Sequence, residues 1–186
     1  MNSFSSFKYR KAILSDAPVL ADLISLSSDV INGQFYEKHI VQASVGNIWT
    51  VDPQLIKDET YWVATTDTGQ IVGCGGWSKR NLLFGNDTTM KTAGAPAELN
   101  PKVDPARIRA FFVHPDFTRR GIGRELLRIC EEEAKSKGFK SLELVATLSG
   151  VPLYESCGYQ KRKLIHIDLG NNLFGDAYEM WKEIGY

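Results

Sequence analysis

The sequence predicts an α/β domain in which a mixed sheet of six or seven strands carries helices on its faces. Three observations lead to this fold class: two pairs of β-like segments joined by short turns, one strand–helix–strand unit, and a helical N-terminal region. The hairpins imply antiparallel pairs, whereas the strand–helix–strand unit implies two parallel strands. The sheet is therefore expected to be mixed.

Composition and charge exclude several classes of protein. The 186 residues carry 22 Lys+Arg and 22 Asp+Glu, and 43% of them are hydrophobic. Such a chain can bury a core of its own, so we expect a single domain over residues 1–186. Balanced charge provides no long-range field for a polyanion, which argues against nucleic acid and membrane surfaces as partners.

The cysteines and the N-terminus indicate a cytoplasmic protein without a metal. Cys74, Cys130 and Cys157 are widely separated, with no C-x-x-C pair and no histidine at metal-ligand spacing, so reduced thiols are expected. The polar first residues do not resemble a secretory signal, and no apolar run reaches membrane-spanning length.

The first sixty residues are predicted to form an edge strand followed by helices. Residues 7–14 mix apolar and basic side chains as an edge strand does, and Ser15-Asp16-Ala17-Pro18 is a helix start with a capping side chain and a first-turn proline. That helix ends at Asn32-Gly33, a second spans about 36–45, and a helical turn spans 52–57. The apolar stripe of the first helix consists of Val19, Leu20, Leu23, Ile24, Ser27, Val30 and Ile31.

A hairpin and a long loop follow. Residues 61–66 and 70–77 are rich in aromatic and β-branched side chains, and they flank the turn sequence Asp67-Thr68-Gly69. Over residues 78–105 glycines and prolines accumulate without periodicity, which predicts a loop insertion. A surface insertion and a lid over the substrate are both compatible with this composition.

The strand–helix–strand unit occupies residues 107–146. A strand over 107–113 with an apolar end suggests a central position, residues 121–137 form a helix ended by Gly138, and residues 141–146 form the second strand. A right-handed crossover makes the two strands parallel. The apolar face of the helix is predicted to consist of Ile122, Leu126, Leu127, Cys130 and Ala134.

The C-terminal segment predicts a short helix and a final hairpin. The helix spans residues 151–156 and ends at the corner Gly158-Tyr159. Two strands, over about 159–168 and 176–183, are joined around Gly170-Asn171-Asn172, a sequence typical of tight hairpin turns.

The junction before the long helix carries the clearest signal of a site. In Thr118-Arg119-Arg120-Gly121-Ile122-Gly123-Arg124, the first-turn N–H groups lack internal acceptors and lie at the positive end of the helix dipole. The glycines allow a ligand to approach the backbone, and four arginines stand against one glutamate over residues 119–128. These features favour a bound pyrophosphate, and a solvated basic surface is the alternative. A missing third glycine and a missing Gly-Lys-Ser/Thr argue against dinucleotide and P-loop motifs.

These residues resemble the signature of the GNAT superfamily of N-acetyltransferases. The family pattern Gln/Arg-x-x-Gly-x-Gly/Ala matches residues 118–123 at both glycines, with Thr118 in place of the usual Gln or Arg. Residues 147–159 resemble the short helix of the family that ends in Tyr-x-x-x-Gly-Phe/Tyr, with Ser149 where many members have Asn. Together with the element order, the resemblance spans about residues 9–183.

The resemblance implies a fold, a co-substrate and a set of site residues. It implies the GNAT fold, in which two parallel strands splay apart, here those ending at Val113 and Ala146, and bind acetyl-CoA. The acetyl group then passes by direct attack to an amine, with Tyr154 as general acid. Glu143 is a candidate general base, with Asp116 and Glu98 as weaker ones. The implied cofactor-binding residues are Phe111, Phe112, Val113, Thr118, Arg119, Arg120, Gly121, Ile122, Gly123, Arg124 and Ser149.

The acceptor is left open by the sequence. A small-molecule amine and a protein or peptide amine are both compatible with the resemblance, and so is a homodimer. Phe35, Tyr36 and the loop over 78–105 are candidates for the acceptor pocket. The main alternative function is a non-catalytic module that binds acyl-CoA and senses it without transferring the acyl group.

Overall fold

The structure is a computed structural model that describes residues 7–86 and 96–185. The described residues form one seven-stranded sheet and five α-helices. The strands are β1 (Lys8–Lys11), β2 (Tyr61–Thr65), β3 (Ile71–Ser78), β4 (Ala106–Val113), β5 (Ser141–Thr147), β6 (Gln160–Gly170) and β7 (Leu173–Glu183). The helices are α1 (Ala17–Val30), α2 (Lys38–Ser44), α3 (Pro53–Lys57), α4 (Ile122–Ser136) and α5 (Val151–Ser156).

The sheet is mixed, as the sequence predicts. Neighbouring strands are antiparallel except for β4 and β5, which are parallel and are connected by α4. The order β1-β2-β3-β4-β5-β7-β6 places β4 at the centre and β1 at an edge, both as expected. The last strand, β7, lies between β5 and β6, an order that the hairpin alone does not reveal because a hairpin fixes only that its two strands pair.

Helices cover both faces of the sheet, and apolar side chains are buried on each face. Leu144 of β5 packs in the cluster that contains residues of α4, whereas its neighbour Val145 packs against the cluster that contains residues of α1. Successive side chains of a strand point to opposite faces, so α4 and α1 lie on opposite sides of the sheet. No helix in the described part of the chain is long and apolar enough to span a membrane.

The two predicted apolar stripes have different outcomes. All five residues predicted for the buried face of α4 are buried. On α1 the prediction is wrong at both ends of the stripe, because Val19 is 49% exposed and Val30 is 43% exposed. Leu20, Leu23 and Ile24 face the sheet instead. The helix begins one residue before Pro18 and turns a narrower face to the core than the sequence pattern suggests.

The long connection between β3 and β4 is anchored near its two ends. Arg80 donates to both carboxylate oxygens of Asp58, at 2.6 and 2.9 Å, and Leu99 donates its amide to the Lys79 carbonyl at 2.7 Å. An isolated bridge pairs Arg80 with Glu98. Residues 87–95, the middle of the predicted loop, lie outside the described residues. Whether the loop is a lid or a surface insertion depends on them, so both alternatives stay predictions.

A single carboxylate fastens α4 to the first three strands. Glu133 accepts hydrogen bonds from the indole nitrogens of Trp62 at 2.8 Å and Trp77 at 3.0 Å, and it pairs with the Lys11 ammonium group. Trp77 is buried, so its indole N–H needs this acceptor inside the protein. Glu133 therefore holds one face of the sheet against the helix that begins at the predicted anion site.

We expect Glu133→Ala to lower the free energy of unfolding by about 2 kcal/mol, because it leaves a buried indole N–H without an acceptor. Urea unfolding followed by tryptophan fluorescence measures this loss. Glu132→Ala is the matched control, since Glu132 on the same helix pairs only with the exposed Arg128 among the described contacts. Equal destabilisation by the two substitutions would contradict the role given to Glu133.

Candidate active site

A β-bulge in β4 separates the two parallel strands. Both strands are described in full, and they pair only at Ala106 with Leu142 and at Arg107 with Glu143. On its other side β4 pairs with β3, where the register shifts so that one extra residue of β4 lies between two successive pairs. Ala110 in this segment has a φ of 55°. A bulge bends its strand, so β4 turns away from β5 and a gap opens between them.

Tyr61 stabilises the bulge from the neighbouring strand β2. Its hydroxyl donates to the carbonyl oxygen of Ala110 at 3.0 Å, and its ring is completely buried. Burial raises the pKa of Tyr61, so the hydroxyl stays protonated and remains a donor. The carbonyl that the bulge turns out of the strand ladder therefore keeps a hydrogen-bond partner.

The gap is part of a cleft of about 890 Å³. The end of β4, the first turn of α4 and α5 line one half of the cleft, and the segment between α1 and α3 lines the other. The backbone amide of His114 donates a hydrogen bond to the carbonyl oxygen of Val72 in β3 at 2.9 Å. Since successive N–H groups of a strand point in opposite directions, the amide of Val113 points into the gap, and that of Phe112 points towards β3.

The N-terminus of α4 lies at one end of the cleft. Gly121 is the N-cap residue with a φ of 84°, and a side chain at that φ would be strained. The first-turn amides of α4 have no partner within the helix and lie at its positive dipole end. The residues of the predicted anion site that line the cleft are Thr118, Arg119, Gly121, Ile122, Gly123 and Arg124.

The arginines of this segment differ in what they contact. Arg124 donates to the Ser156 hydroxyl at 3.0 Å, which connects α4 to α5. Arg120 lies over the Phe117 ring and donates to the Asp116 carbonyl, and it is not among the residues that line the cleft. Arg128 is engaged by Glu125 and Glu132. The positive charge that this segment provides to the cleft therefore comes from Arg119, Arg124 and the helix end.

Glycine in β3 lets α4 approach the sheet. A Cβ atom on Gly73 would lie 2.6 Å from Cγ2 of Ile122, which is closer than real Cβ contacts allow. Ile122 is the first residue of α4 and is buried. Gly73 therefore sets the distance between the sheet and the helix end. Gly123 has a related role, since its Cβ would lie 3.0 Å from Leu153 of α5.

Tyr154 lies on α5 and lines the cleft. Its ring packs edge-on against Phe111, with centroids 6.3 Å apart, and against Tyr159, at 5.7 Å. The side chain is buried, and burial is the largest cause of a raised pKa for its hydroxyl, so the phenol is protonated at neutral pH. Tyr154 is thus a neutral proton donor next to the gap.

Polar side chains join the two halves of the cleft. The Tyr36 hydroxyl donates to the Asp176 carbonyl at 2.7 Å and accepts from the Leu148 amide at 2.8 Å. Burial raises the pKa of Tyr36 to about 12. Ser149 donates to the side-chain oxygen of Asn32 and lies 3.0 Å from the Thr147 hydroxyl oxygen. Ser149 is therefore held against the segment that follows α1.

The three carboxylates named as candidate bases lie away from the gap. Glu143 pairs with Arg107 where β4 and β5 are still joined, and it is not among the residues that line the cleft. Asp116 is exposed beside His114, and Glu98 pairs with Lys79 at 2.9 Å. No group of three potential metal ligands occurs among the described residues.

Some residues of the site were missed in the sequence. Gly73 interrupts an otherwise apolar strand, and a glycine inside a strand can signal close approach of another element. Arg109 lines the cleft although it lies in a central strand, where a charged residue signals a buried ion pair. Asn32 carries no such signal, because its Asn-Gly sequence also fits the end of a helix.

A mixed sheet whose parallel pair separates beside a helix N-terminus is the fold that the resemblance in the sequence implies. The model of the Acetyltransferase (GNAT) family matches residues 32–159, and the chain belongs to this family. The matched region extends from Asn32 to the residues just after α5, and it includes lining residues from both halves of the cleft. No curated protein sequence shows a significant match to the chain.

Solved structures with low sequence identity share the fold. A GCN5-related N-acetyltransferase from Rhodopseudomonas palustris is 19% identical, with 97% of each chain covered and a TM-score of 0.71. PaiA N-acetyltransferase from Thermoplasma acidophilum, in complex with coenzyme A, is 15% identical. The match covers 96% of this chain and 99% of the PaiA chain, with a TM-score of 0.62. YncA from Salmonella typhimurium, with its cofactor acetyl-CoA, is also 15% identical. The match covers 98% of this chain and 96% of the YncA chain, with a TM-score of 0.62.

We expect Gly73→Ala to weaken binding of coenzyme A about tenfold, which is about 1.4 kcal/mol, because the added methyl group would push the first turn of α4 and its free amides off the sheet. Isothermal titration calorimetry with coenzyme A measures the change. Gly33→Ala is the control, since its Cβ would lie 4.0 Å from the nearest atom. Unchanged affinity in a folded Gly73→Ala protein would contradict this account.

Proposed function

We propose that the protein transfers the acetyl group of acetyl-CoA to an amine by direct attack within a ternary complex. The observation that carries the proposal is the gap between β4 and β5, which is part of a cleft lined by Val113, the first turn of α4 and Tyr154. Family membership and two neighbours with coenzyme A or acetyl-CoA bound support acetyl-CoA as co-substrate.

The residues of the α4 end suit a pyrophosphate. Free amides in the first turn of α4 and the charges of Arg119 and Arg124 favour a dianionic group there. Thr118 can contribute a hydroxyl group directly before this helix end, and Ser149 can contribute one from the segment that follows β5. At the other end of the gap, the Val113 amide would donate to the thioester carbonyl oxygen and stabilise the negative charge that develops on it. Phe111 would pack beside the pantetheine chain.

Tyr154 is assigned the role of general acid. As the C–N bond forms and the C–S bond breaks, the Tyr154 hydroxyl would give its proton to the departing sulfur. Its raised pKa suits this role, because the group must be protonated before the step. Glu143 is held by Arg107 outside the cleft, so our proposal has the amine lose its proton to water rather than to that carboxylate.

The amine would approach from the half of the cleft formed by the segment between α1 and α3. Small-molecule amines and the amines of a peptide both fit an open cleft of this kind. We also propose a cytoplasmic location, on the basis that Cys74, Cys130 and Cys157 are all free thiols and that free thiols are typical of reducing compartments.

The proposed function is tested by mixing the purified protein with acetyl-CoA and a panel of amines while free thiol is measured. We expect thiol release that depends on both the amine and the protein. Binding of acetyl-CoA without release for any amine, including short peptides, would contradict the proposal and favour an acyl-CoA sensor instead.

We expect Tyr154→Phe to lower kcat about 100-fold, within the range for loss of a general acid. Dissociation constants for acetyl-CoA should change little, because the ring that packs against Phe111 is retained. Steady-state kinetics with the best amine of the panel measures the effect.

Tyr159→Phe is the control for Tyr154→Phe. Tyr159 is a buried tyrosine in contact with Tyr154, and it is not among the residues that line the cleft. The substitution removes the same atom from the same aromatic cluster, so kcat should stay near that of the unsubstituted protein. A large loss of kcat in Tyr159→Phe, or none in Tyr154→Phe, would contradict the assignment.

A further inference from the structure

Arg109 is a buried cation on the wall of the cleft. It lies in β4 directly before Ala110, and its side chain is 2% exposed. Its guanidinium group donates to Asp52 at 3.1 Å, to the Leu82 carbonyl at 3.0 Å and to the Gly85 carbonyl at 2.5 Å. Burying a guanidinium is costly unless its charge is paired and its donors are bonded. These three acceptors pair the charge and bond both terminal nitrogens of Arg109, whereas its buried Nε has no partner among the described residues.

The groups that accept from Arg109 lie in or within two residues of two segments that line the same half of the cleft. Gly85 lines the cleft itself, whereas Asp52 and Leu82 lie directly beside these segments. We define the acceptor wall as residues 48–50 and 83–85, all of which line the cleft. Asp52 follows the first segment and caps α3 by accepting from the Gln54 amide at 2.9 Å. The Gly85 amide donates to the Ile48 carbonyl at 3.3 Å, and the Asn86 side chain donates to the Val51 carbonyl at 3.2 Å. One guanidinium therefore fastens both segments to the bulged strand.

The acceptor wall is mainly apolar and carries no charge. Ile48, Trp49, Leu83 and Phe84 supply its apolar side chains, and Thr50 adds one uncharged hydroxyl group. The charge of Arg109 is matched by Asp52. The Asp176 carboxylate, on another side of the cleft, lies 2.6 Å from the His166 ring nitrogen. A polycationic acceptor would leave its extra charges without partners along this wall, whereas an apolar body would pack against it.

We propose that Arg109 is a positioning residue that holds the acceptor wall in the orientation that receives an amine with an uncharged, apolar body. The proposal rests on the proposed function, because it assigns the acceptor side of that same cleft. Arg109 acts through the wall and touches neither the reacting atoms nor the coenzyme end.

Arg107 is a matched control on the same strand. It is also buried, and it lies two residues before Arg109. It pairs with Glu143 and donates to the Asn81 side chain at 3.0 Å. Arg107 is not among the residues that line the cleft. Loss of either arginine disturbs a buried ion pair in β4, but loss of Arg109 alone should release the acceptor wall.

The test compares Arg109→Lys with Arg107→Lys. A lysine at 109 keeps a positive charge for Asp52 but cannot spread its donors over two carbonyls as a guanidinium does. For phenethylamine we expect KM to rise about tenfold in Arg109→Lys with the KM for acetyl-CoA nearly unchanged, a split that indicates lost acceptor binding. Arg107→Lys should leave both KM values nearly unchanged. The unsubstituted protein should also prefer phenethylamine to spermidine in kcat/KM.

Hydrogen exchange supplies a readout that needs no substrate. In Arg109→Lys the Gly85 amide should exchange at least about tenfold faster than in the unsubstituted protein, because its segment has lost two anchors. In Arg107→Lys it should exchange at the unsubstituted rate. If Arg109→Lys fails to fold, Asn86→Ala loosens the same wall with the buried ion pair intact, and it should raise the KM for phenethylamine and speed Gly85 exchange in the same direction.

The outcomes separate this proposal from the proposed function. Three results would overturn the proposal for Arg109. They are equal exchange of the Gly85 amide in the two arginine variants, an equal rise in the KM values for phenethylamine and acetyl-CoA in Arg109→Lys, and a preference of the unsubstituted protein for spermidine. If no amine is acetylated by the unsubstituted protein, the proposed function fails, and so does the assignment of an acceptor to the wall; the exchange data then show only whether Arg109 orders residues 82–86.

Discussion

The cleft depends on a one-residue bulge in β4. Without the extra residue of the bulge, β4 would continue beside β5, and a continuous parallel pair would leave no gap between the two strands. The bulge carries a positive φ at an alanine, which is unfavourable for a residue with a Cβ atom. The hydroxyl of Tyr61 offsets part of that cost by donating to the displaced carbonyl. A buried tyrosine on β2 is thus linked to the opening of a site two strands away.

The polar groups of β4 have different surroundings before and after the bulge. Before it, Arg107 and Glu143 close the sheet at the last pair between the parallel strands. Beside it, Arg109 lines the half of the cleft that we propose for the acceptor, and after it the amide of Val113 points into the gap. The positive charge that we propose for the coenzyme lies further along, at Arg119, Arg124 and the end of α4. The chain has no net charge, but it has a local cationic site. The site has less free positive charge than the four arginines of residues 119–128 suggest, because Arg128 is paired with two glutamates.

Much of this arrangement could be predicted from the sequence, since periodicity and turn residues report directly on local structure. The period of α4 and its glycine-bounded ends identified its buried face correctly, and two motifs identified the family. The bulge could not be predicted, because nothing in the composition of 107–113 marks Ala110 for a positive φ. The orientation of Glu143 depends on where the parallel pair ends, which is set by that bulge. Val19 and Val30 were misplaced because a period gives the direction of a stripe and not its width.

The most direct test of the account is the mapping of backbone amide chemical shifts as coenzyme A is added. The account predicts saturable shifts at Val113 and at the first turn of α4 over 121–124, with little change at Ala106 and Leu142, where the parallel strands remain paired. Saturable binding that leaves Val113 and the α4 end unchanged, or that shifts amides away from the cleft, would contradict the claim that the opened strand pair holds the coenzyme.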